Sequence, residues 1–578
     1  MPDTDTSPSI SLLWPPGLEN LALEDIDRWG AHSIQDLNLN QVAGALSPDA
    51  RHVNQTQIIL RSLNPDPRVI LYRQSVLDDC LRCPELLTGI REVLPYISSL
   101  VTTRLRFSNP EVTTLFQTVW RLSELELYAE SVKKLRKILT TAGSDLHSEG
   151  FTHLRDLVTE IETKDTFQCL VNEIPNLRVG INQAASITIG VNLDNEMNPV
   201  EATLISINPK RFRGDENSML NRLMGFRGKD GDQGIAQLHR VPFKTSQFAH
   251  DHGIGSFVDP MGERENHLLY PLFKDLDEVL KVIAKPIADA LDKYILVNSQ
   301  FLANLEPEII FYLGAVSLIQ QVQAAGLPMC RVEVAEPNER VCELEDIYNL
   351  SLVLRLLDPQ QKQDLSQDIV TNDVAFGPQG RIFILTGPNR GGKTIYTQAI
   401  GLAQALFQAG LYVPARRARI SPVDGIYTHF PVEEKPYFDM GRLGEEAHRL
   451  SEVFQKASRY SLVLLNETLS STSPGECLYL ARDVVRALKL LGVRAVYATH
   501  LHELAETEAF EDTPSDSPVV SLVAGTAPDQ TTPESVRRTY KIVPAPPTGM
   551  SFAKDIARKY GISFEQLSQV LQERKVIS

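Results

Sequence analysis

Apolar residues recur at helical spacing along much of the first half of the chain. Patterns over Val69–Leu77, Leu86–Leu100 and Leu115–Leu139 predict a helical bundle spanning about 54–141. Residues 1 to about 55 are rich in turn formers and hold two short amphipathic pieces, Leu21–Ile26 and Ile34–Leu37, so a small, separate, weakly specified segment is expected. A further helix is predicted from about His153 to Cys169. At Asn176 the period changes, and Val179, Ile181, Ile187, Ile189 and Val191 alternate with small or polar residues as strands do. Leu276–Ala303 is a long amphipathic run with a kink expected at Pro286. Pro307 then suits the first position of a helix through Ala325, ended by Gly326 and Pro328. These two helices are candidate struts.

The carboxy-terminal third has a different texture. Arg381–Thr386 reads as a strand, Ile395–Leu411 as a helix, and between them lies Gly387-Pro388-Asn389-Arg390-Gly391-Gly392-Lys393-Thr394. Strand, glycine-rich loop, helix is the setting of a P-loop. Small residues let backbone N–H groups turn toward a phosphate, the helix start adds partial positive charge, Lys393 reaches the β- and γ-phosphates, and Thr394 binds Mg²⁺. ATP with Mg²⁺ is the cofactor this predicts. Tyr412–Phe430 reads as short strands broken at Pro414 and Pro422. Gly441–Gly444 opens a helix whose Ala447, Leu450, Val453, Phe454 and Ala457 share a face. Ser461–Glu467 is a buried-strand pattern ending in polar residues, where an acid should emerge beside the P-loop. The expected Asp-Glu is Asn466-Glu467 here. Glu467 can orient or polarise an attacking water, whereas Asn466 is neutral and can hydrogen-bond the water shell of Mg²⁺ without opposing its charge. Ser473–Glu476 reads as a capping box whose helix runs to about Leu491 and stops at Gly492. Val493–Ala498 is another buried strand, and it ends in Thr499-His500, with His500 placed to sense a γ-phosphate.

Composition narrows the class. With 578 residues, 43% hydrophobic and 22% charged, the chain reads as several soluble globular domains. No uninterrupted apolar stretch long enough for a bilayer is evident and Met1–Pro8 is unlike a signal peptide, so a cytoplasmic protein without a membrane partner is expected. Six cysteines make no disulfide framework, and Cys80 with Cys83 lacks the partners of a zinc site. The net charge of −16 provides no global field toward nucleic acid, which must therefore be met by a local patch. Residues 208–245 interleave basic and aromatic side chains, with Arg211, Arg213, Arg227 and Lys229 as candidates for phosphate contact. Acidic residues dilute that segment, and a solvated loop fits it equally well.

Thr386–Thr394, Ser461–Glu467, Ser471–Ser473 and Ala498-Thr499-His500 stand in the order and spacing of the MutS family of ATPases, which the chain resembles over most of about 365–565. Asn372-Asp373 and Ser551–Ala557 with Tyr560-Gly561 are similar too. The helices upstream resemble the family's core and lever region more faintly, and no mismatch-reading or appended nuclease domain is recognised. The resemblance implies an α/β, ABC-type P-loop ATPase domain over 341–578, a mainly helical core and lever region over 55–340 with a partly β or loop insertion at about 176–265, and a small segment at 1–54. It implies ATP and Mg²⁺ as cofactors, Asn372 at the nucleotide, and a homodimer in which Gly441, Arg442 and Glu446 approach the partner's nucleotide. The family's usual serine is replaced by Gly441, which together with Asn466 points to slow hydrolysis. Three functions follow as expectations. The first is a DNA-binding ATPase whose closure moves the helices on duplex or branched DNA. The second is a nucleotide-gated interaction protein with little turnover and a protein or RNA partner, and the third, ranked low, is an unrelated P-loop kinase.

Overall fold

The computed structural model describes residues 10–18, 28–47, 50–107, 114–182, 186–196, 199–212, 285, 287–291, 294, 299–357, 364–431, 441–528, 536–547 and 561–574. The chain divides into two compact units. One comprises Met1–Ser7, Glu92–Lys137 and Arg155–Ala303, and the other Pro8–Arg91, Ile138–Leu154 and Asn304–Ser578.

The first unit is helical with one hairpin. Its helices come from α5 (Pro84–Phe107), α6 (Thr114–Ala142), α7 (Glu149–Thr163) and α8 (Asp165–Asn182). Leu122, Leu125, Ala129 and Val132 follow the helical period on α6 and are buried, as the pattern predicts, and Tyr128 meets Phe167 and Phe301 edge-on at 6.0 and 6.4 Å. The helix expected at about 153–169 is instead two, broken at Lys164, and α8 carries Val179 and Ile181 that the alternation assigned to strands. Only Ile187, Ile189 and Val191 lie in β1 (Ser186–Leu193), which pairs antiparallel with β2 (Pro199–Asn208). Most of the expected helix at 276–303 lies outside the described residues.

The second unit holds two sheets. It also takes in α1 (Ser33–Asp36), α2 (Leu39–Leu46), α3 (Ala50–Arg61), α4 (Pro67–Arg82), most of α9 (Gln300–Ala324) and α10 (Leu350–Leu356). The helix predicted to start at Pro307 begins seven residues earlier. Burial of Phe301, Leu302 and Leu305 outweighs the cost of a proline inside the helix, about 3 kcal/mol. By length and composition α9 is also apolar enough to cross a membrane, contrary to the expectation that no such stretch exists, but 67% of its most apolar window is buried within the fold.

The smaller sheet has the order β3-β7-β4-β5 (β3 Glu333–Val334, β4 Cys342–Ile347, β5 Asn372–Phe376, β7 Arg417–Ile420). The larger runs β12-β11-β6-β10-β9-β8 (β6 Ile382–Thr386, β8 Ile426–His429, β9 Leu462–Asn466, β10 Arg494–Ala498, β11 Val519–Pro528, β12 Val536–Pro544), parallel except for the antiparallel β12. β6, β9 and β10 are buried along their whole length, which is why they read as continuous apolar runs. One face packs Ile382, Ile384, Val463, Leu465 and Tyr497 against α12 (Arg442–Lys456) and α13 (Pro474–Leu491). On the other side, α11 (Lys393–Gln408) approaches β9 closely enough that a Cβ on Gly401 would lie 2.8 Å from Leu464.

Residues 28–47, expected as a separate segment, are built into this unit. Trp29 makes a parallel bridge with Ile426 at the outer side of β8, and Gly30 N–H donates to the Ile426 carbonyl. A Cβ on Gly401 would also lie 2.5 Å from Leu37, and one on Gly314 of α9 1.6 Å from the Leu46 carbonyl oxygen. Those two helix positions admit glycine because the amino-terminal segment lies against them.

Candidate functional site

Three parallel strands, β6, β10 and β9, deliver their carboxyl ends side by side. Ala498 pairs with both Leu385 and Asn466, so Thr386, Asn466-Glu467 and Thr499-His500 emerge at one edge. The predicted strand-loop-helix is present: β6 ends at Thr386 and α11 begins at Lys393 with Gly392 as its cap at φ 96°. Gly387 has φ 136° and a Cβ there would meet Ala524 of β11 at 2.7 Å, so the loop's glycines are required both by conformation and by space. Asn389 and Arg390 form the exposed tip, while Pro388 and Gly391 are buried.

Lys393 is 5% exposed, and its Nζ donates to the carbonyls of Gly387 at 3.0 Å and Pro388 at 3.2 Å. Burial pushes its ammonium down to about 8, against the opposing pull of Glu467. A buried cation whose hydrogen bonds go to neutral carbonyls suits an arriving anion. Thr394 Oγ1 donates to Asn466 Oδ1 at 3.2 Å, which brings two oxygen ligands of the kind Mg²⁺ prefers to one point. No group of three or more His, Cys, Asp or Glu side chains capable of holding a metal occurs among the described residues.

Glu467 turns the chain out of the sheet. Its φ is 51°, in the left-handed region, and its N–H donates to the Ala498 carbonyl at 2.8 Å. Such a backbone costs about 1–3 kcal/mol and is sustained by the packing around it. The carboxylate lies 2.8 Å from Nε2 of His500, and this hydrogen bond is the main cause holding Glu467 below its ordinary range. His500 therefore faces Glu467 directly. Further along the same loop, Ser471 Oγ donates to Glu446 Oε2 at 3.1 Å, so Glu446 is tied to the loop that follows β9 of its own chain.

The remaining predicted residues fall as follows. Gly441 is the cap of α12 with ordinary extended backbone, and Arg442 is that helix's first residue. Ser473 caps α13 beside Pro474, but its hydroxyl donates to the Glu476 carboxylate at 2.9 Å and makes no side-chain cap bond, so the predicted capping box does not form. Gly492 stops that helix at φ 77°. Asn372, expected at the nucleotide, spends both ends of its amide on β12: Nδ2 donates to the Tyr540 carbonyl at 3.1 Å and Oδ1 accepts from Ile542 N–H at 2.7 Å. Arg211 is exposed just beyond β2, whereas Arg213, Arg227 and Lys229, and the Ser551–Ala557 motif, lie outside the described residues.

Sequence reasoning missed Tyr540. It has φ 57°, is 46% exposed, and its ring would be 3.6 Å from a Cβ on Gly392. Asn372 fixes that strand beside the glycine-rich loop, so Tyr540 offers an aromatic face next to Gly392.

Two family models match the chain: a MutS2 N-terminal domain over residues 65–325 and MutS domain V over residues 383–562. Among curated relatives, the protein named Endonuclease MutS2 of Thermus thermophilus is 32% identical over 206 residues, which cover 36% of this chain and 26% of the relative. The DNA mismatch repair protein MutS of Caldanaerobacter subterraneus is 26% identical over 231 residues, 40% of this chain and 27% of the relative. Endonuclease MutS2 of Thermomicrobium roseum is 26% identical over 317 residues, 53% of this chain and 36% of the relative. The chain thus spans between about a quarter and just over a third of the length of these relatives.

Proposed function

Since the chain belongs to the MutS family by both of its matched regions, we propose that it is an ATP-binding protein that acts as a slow ATPase on duplex or branched DNA, as a homodimer. The observation that carries the nucleotide part is the convergence, at one sheet edge, of buried Lys393, the Thr394–Asn466 pair and the Glu467–His500 pair. In this reading the loop amides of Gly387–Gly392 and the Lys393 ammonium bind the phosphates, and Thr394 with Asn466 holds Mg²⁺. Mg²⁺ held there would supply positive charge to offset the negative charge that develops on the phosphates. Glu467 orients the attacking water and accepts its hydrogen bond, while His500 fixes the carboxylate's direction. The exposed Tyr540 ring would be available to stack on the base.

Turnover is slow for two reasons that reside in this chain. Asn466 supplies no charge to oppose the metal, and Glu467, held low by His500, is a weak base. The same two features favour a second reading, a nucleotide-gated switch that grips a protein or RNA partner with little hydrolysis. The DNA part rests on what the relatives' names state and on exposed Arg211 at the end of the β1–β2 hairpin.

Equilibrium binding of MgATP to the intact chain and to Lys393→Ala tests the site, and equal affinity would overturn it. Retardation of duplex, branched and single-stranded probes at low salt tests the DNA part. Binding should weaken steeply with salt, and no retardation of any probe leaves the switch as the better reading.

A further inference from the structure

The segment Ser11–Trp14 is fastened within the second unit through the Leu12 N–H, the carbonyls of Ser11, Leu12 and Leu13, and the Ser11 hydroxyl. Each oxygen of the Glu308 carboxylate on α9 takes one donor from it, Oε1 from Ser11 Oγ at 2.7 Å and Oε2 from Leu12 N–H at 2.6 Å. Ser11 Oγ in turn accepts from the N–H groups of Leu13 and Trp14 at 3.0 and 3.1 Å. The three carbonyls are met as well: Ser11 by Tyr72 Oη at 2.7 Å, Leu12 by Tyr312 Oη at 2.8 Å, and Leu13 by Arg73 Nε at 3.0 Å. Leu12 and Leu13 are buried.

Arg73 is the joint of this arrangement. It is fully buried, its guanidinium lies 4.2 Å from the Trp14 ring, and Nη1 donates at 3.2 Å to the carbonyl of Gln408, the last residue of α11. A Cβ on Gly410 would lie 2.1 Å from the Arg73 Cβ, so α11 ends in direct contact with it. The P-loop is the other end of the same helix. Arg73 Nη2 is buried without a hydrogen-bond partner among the described residues, and Glu308 lies close enough for the two charges to act on each other. Arg73 and Glu308 are both buried and each is satisfied partly by the segment, so loss of the segment would leave polar atoms of both without partners.

We propose that Arg73 and Glu308 are positioning residues for the P-loop, governed by docking of Ser11–Trp14. With the segment docked, Glu308 holds the segment and Arg73 holds the carboxyl end of α11. With it displaced, both lose partners and turn to one another, and α11 is released at the end opposite the phosphate loop. Because docking and nucleotide occupancy act on one helix, each changes the other's equilibrium by the same factor. The inference rests on the nucleotide reading of the P-loop given above.

The test is amide hydrogen exchange on the full chain with and without MgATP, paired with MgATP affinity, for the unaltered protein, Glu308→Ala and Arg73→Met. MgATP is expected to slow exchange at Leu12–Trp14 about tenfold, and each variant to weaken MgATP by a matching factor while exchange at Ala409–Leu411 rises. Glu308→Gln, which keeps an acceptor, should restore part of both. If a variant does not fold, Ser11→Ala carries the same readouts from a half-buried position. Release of the segment with unchanged exchange at Ala409–Leu411 and unchanged affinity overturns the proposal, leaving the segment as an anchor only. Absence of MgATP binding to the unaltered chain overturns the nucleotide reading and this proposal together, and is distinguished because Lys393→Ala then also changes nothing.

Discussion

Asn466→Asp restores the charge that this site lacks, in a side chain of the same shape. Asn466 is 4% exposed and its Oδ1 accepts the Thr394 hydroxyl at 3.2 Å, an acceptor that aspartate keeps. Without metal the change places a carboxylate in a buried position next in sequence to Glu467, with Lys393 as the compensating cation. A poorly satisfied buried group of this kind costs about 1–3 kcal/mol, so the free protein should unfold more easily by that amount. With Mg²⁺ present, unit charges about 4 Å apart attract by about 4 kcal/mol at an effective dielectric of about 20. After the desolvation cost, about 1–3 kcal/mol remains, a roughly 5- to 150-fold gain in affinity for the magnesium complex. Denaturant unfolding with and without MgATP and a Mg²⁺ titration of nucleotide binding measure the two effects, and turnover should rise with the second. A free protein of unchanged stability with an unmoved Mg²⁺ midpoint would show that Asn466 does not face the metal.

Three further outcomes are expected. Lys393 is near 8 when free and must be charged to hold a phosphate, so MgATP binding above pH 8 takes up a proton and weakens by up to about tenfold per pH unit; calorimetry in buffers of different ionisation enthalpy that finds no uptake between pH 8 and 9 refutes this. Gly441→Ser meets open space and ordinary backbone, so it should stabilise α12 by a few tenths of a kcal/mol through its cap and raise turnover if the hydroxyl reaches a partner's nucleotide; a lower melting temperature contradicts the geometry. Tyr540→Ala should cost MgATP about 1–3 kcal/mol of binding, the worth of one stacked base, and leave magnesium tripolyphosphate unaffected; equal losses for both ligands exclude stacking.

The parts of this molecule that read clearly from sequence are those whose causes are local. Arg381–Ile400 declares itself because a buried strand, glycines at forced positions and a helix follow one another without interruption. Glu467 and His500 were legible for the same reason, each being the polar end of an apolar run. Tyr540 was not, since it reaches the P-loop only through β12 and the amide of Asn372, 168 residues away in sequence. The bonds of Asn372 to β12 were equally invisible, because both partners lie about 170 residues further along the chain. The amino-terminal segment looked weakly specified because its partners, Glu308, Gln398 and Ile426, are hundreds of residues distant and leave no trace in its own periodicity. Pro307 misled the start of α9, because a proline rule cannot weigh the three buried residues that precede it.

The bridge between Trp29 and Ile426 joins residues about 400 positions apart. On a ribosome adding about 5–20 residues per second, the first strand-like contact of the chain leaves the tunnel roughly 20–80 s before its partner exists. Leu37 waits nearly as long for Gly401, and Leu46 about two thirds as long for Gly314. Trp29, Leu37 and Leu46, all buried in the finished protein, are therefore open to water, and to chaperones, for most of synthesis, whereas β8 finds its cover already made when it emerges. A circular permutant opened between residues 48 and 49, with residue 578 linked to residue 1, would place residues 28–47 after β8 in the order of synthesis and so reverse that order of exposure.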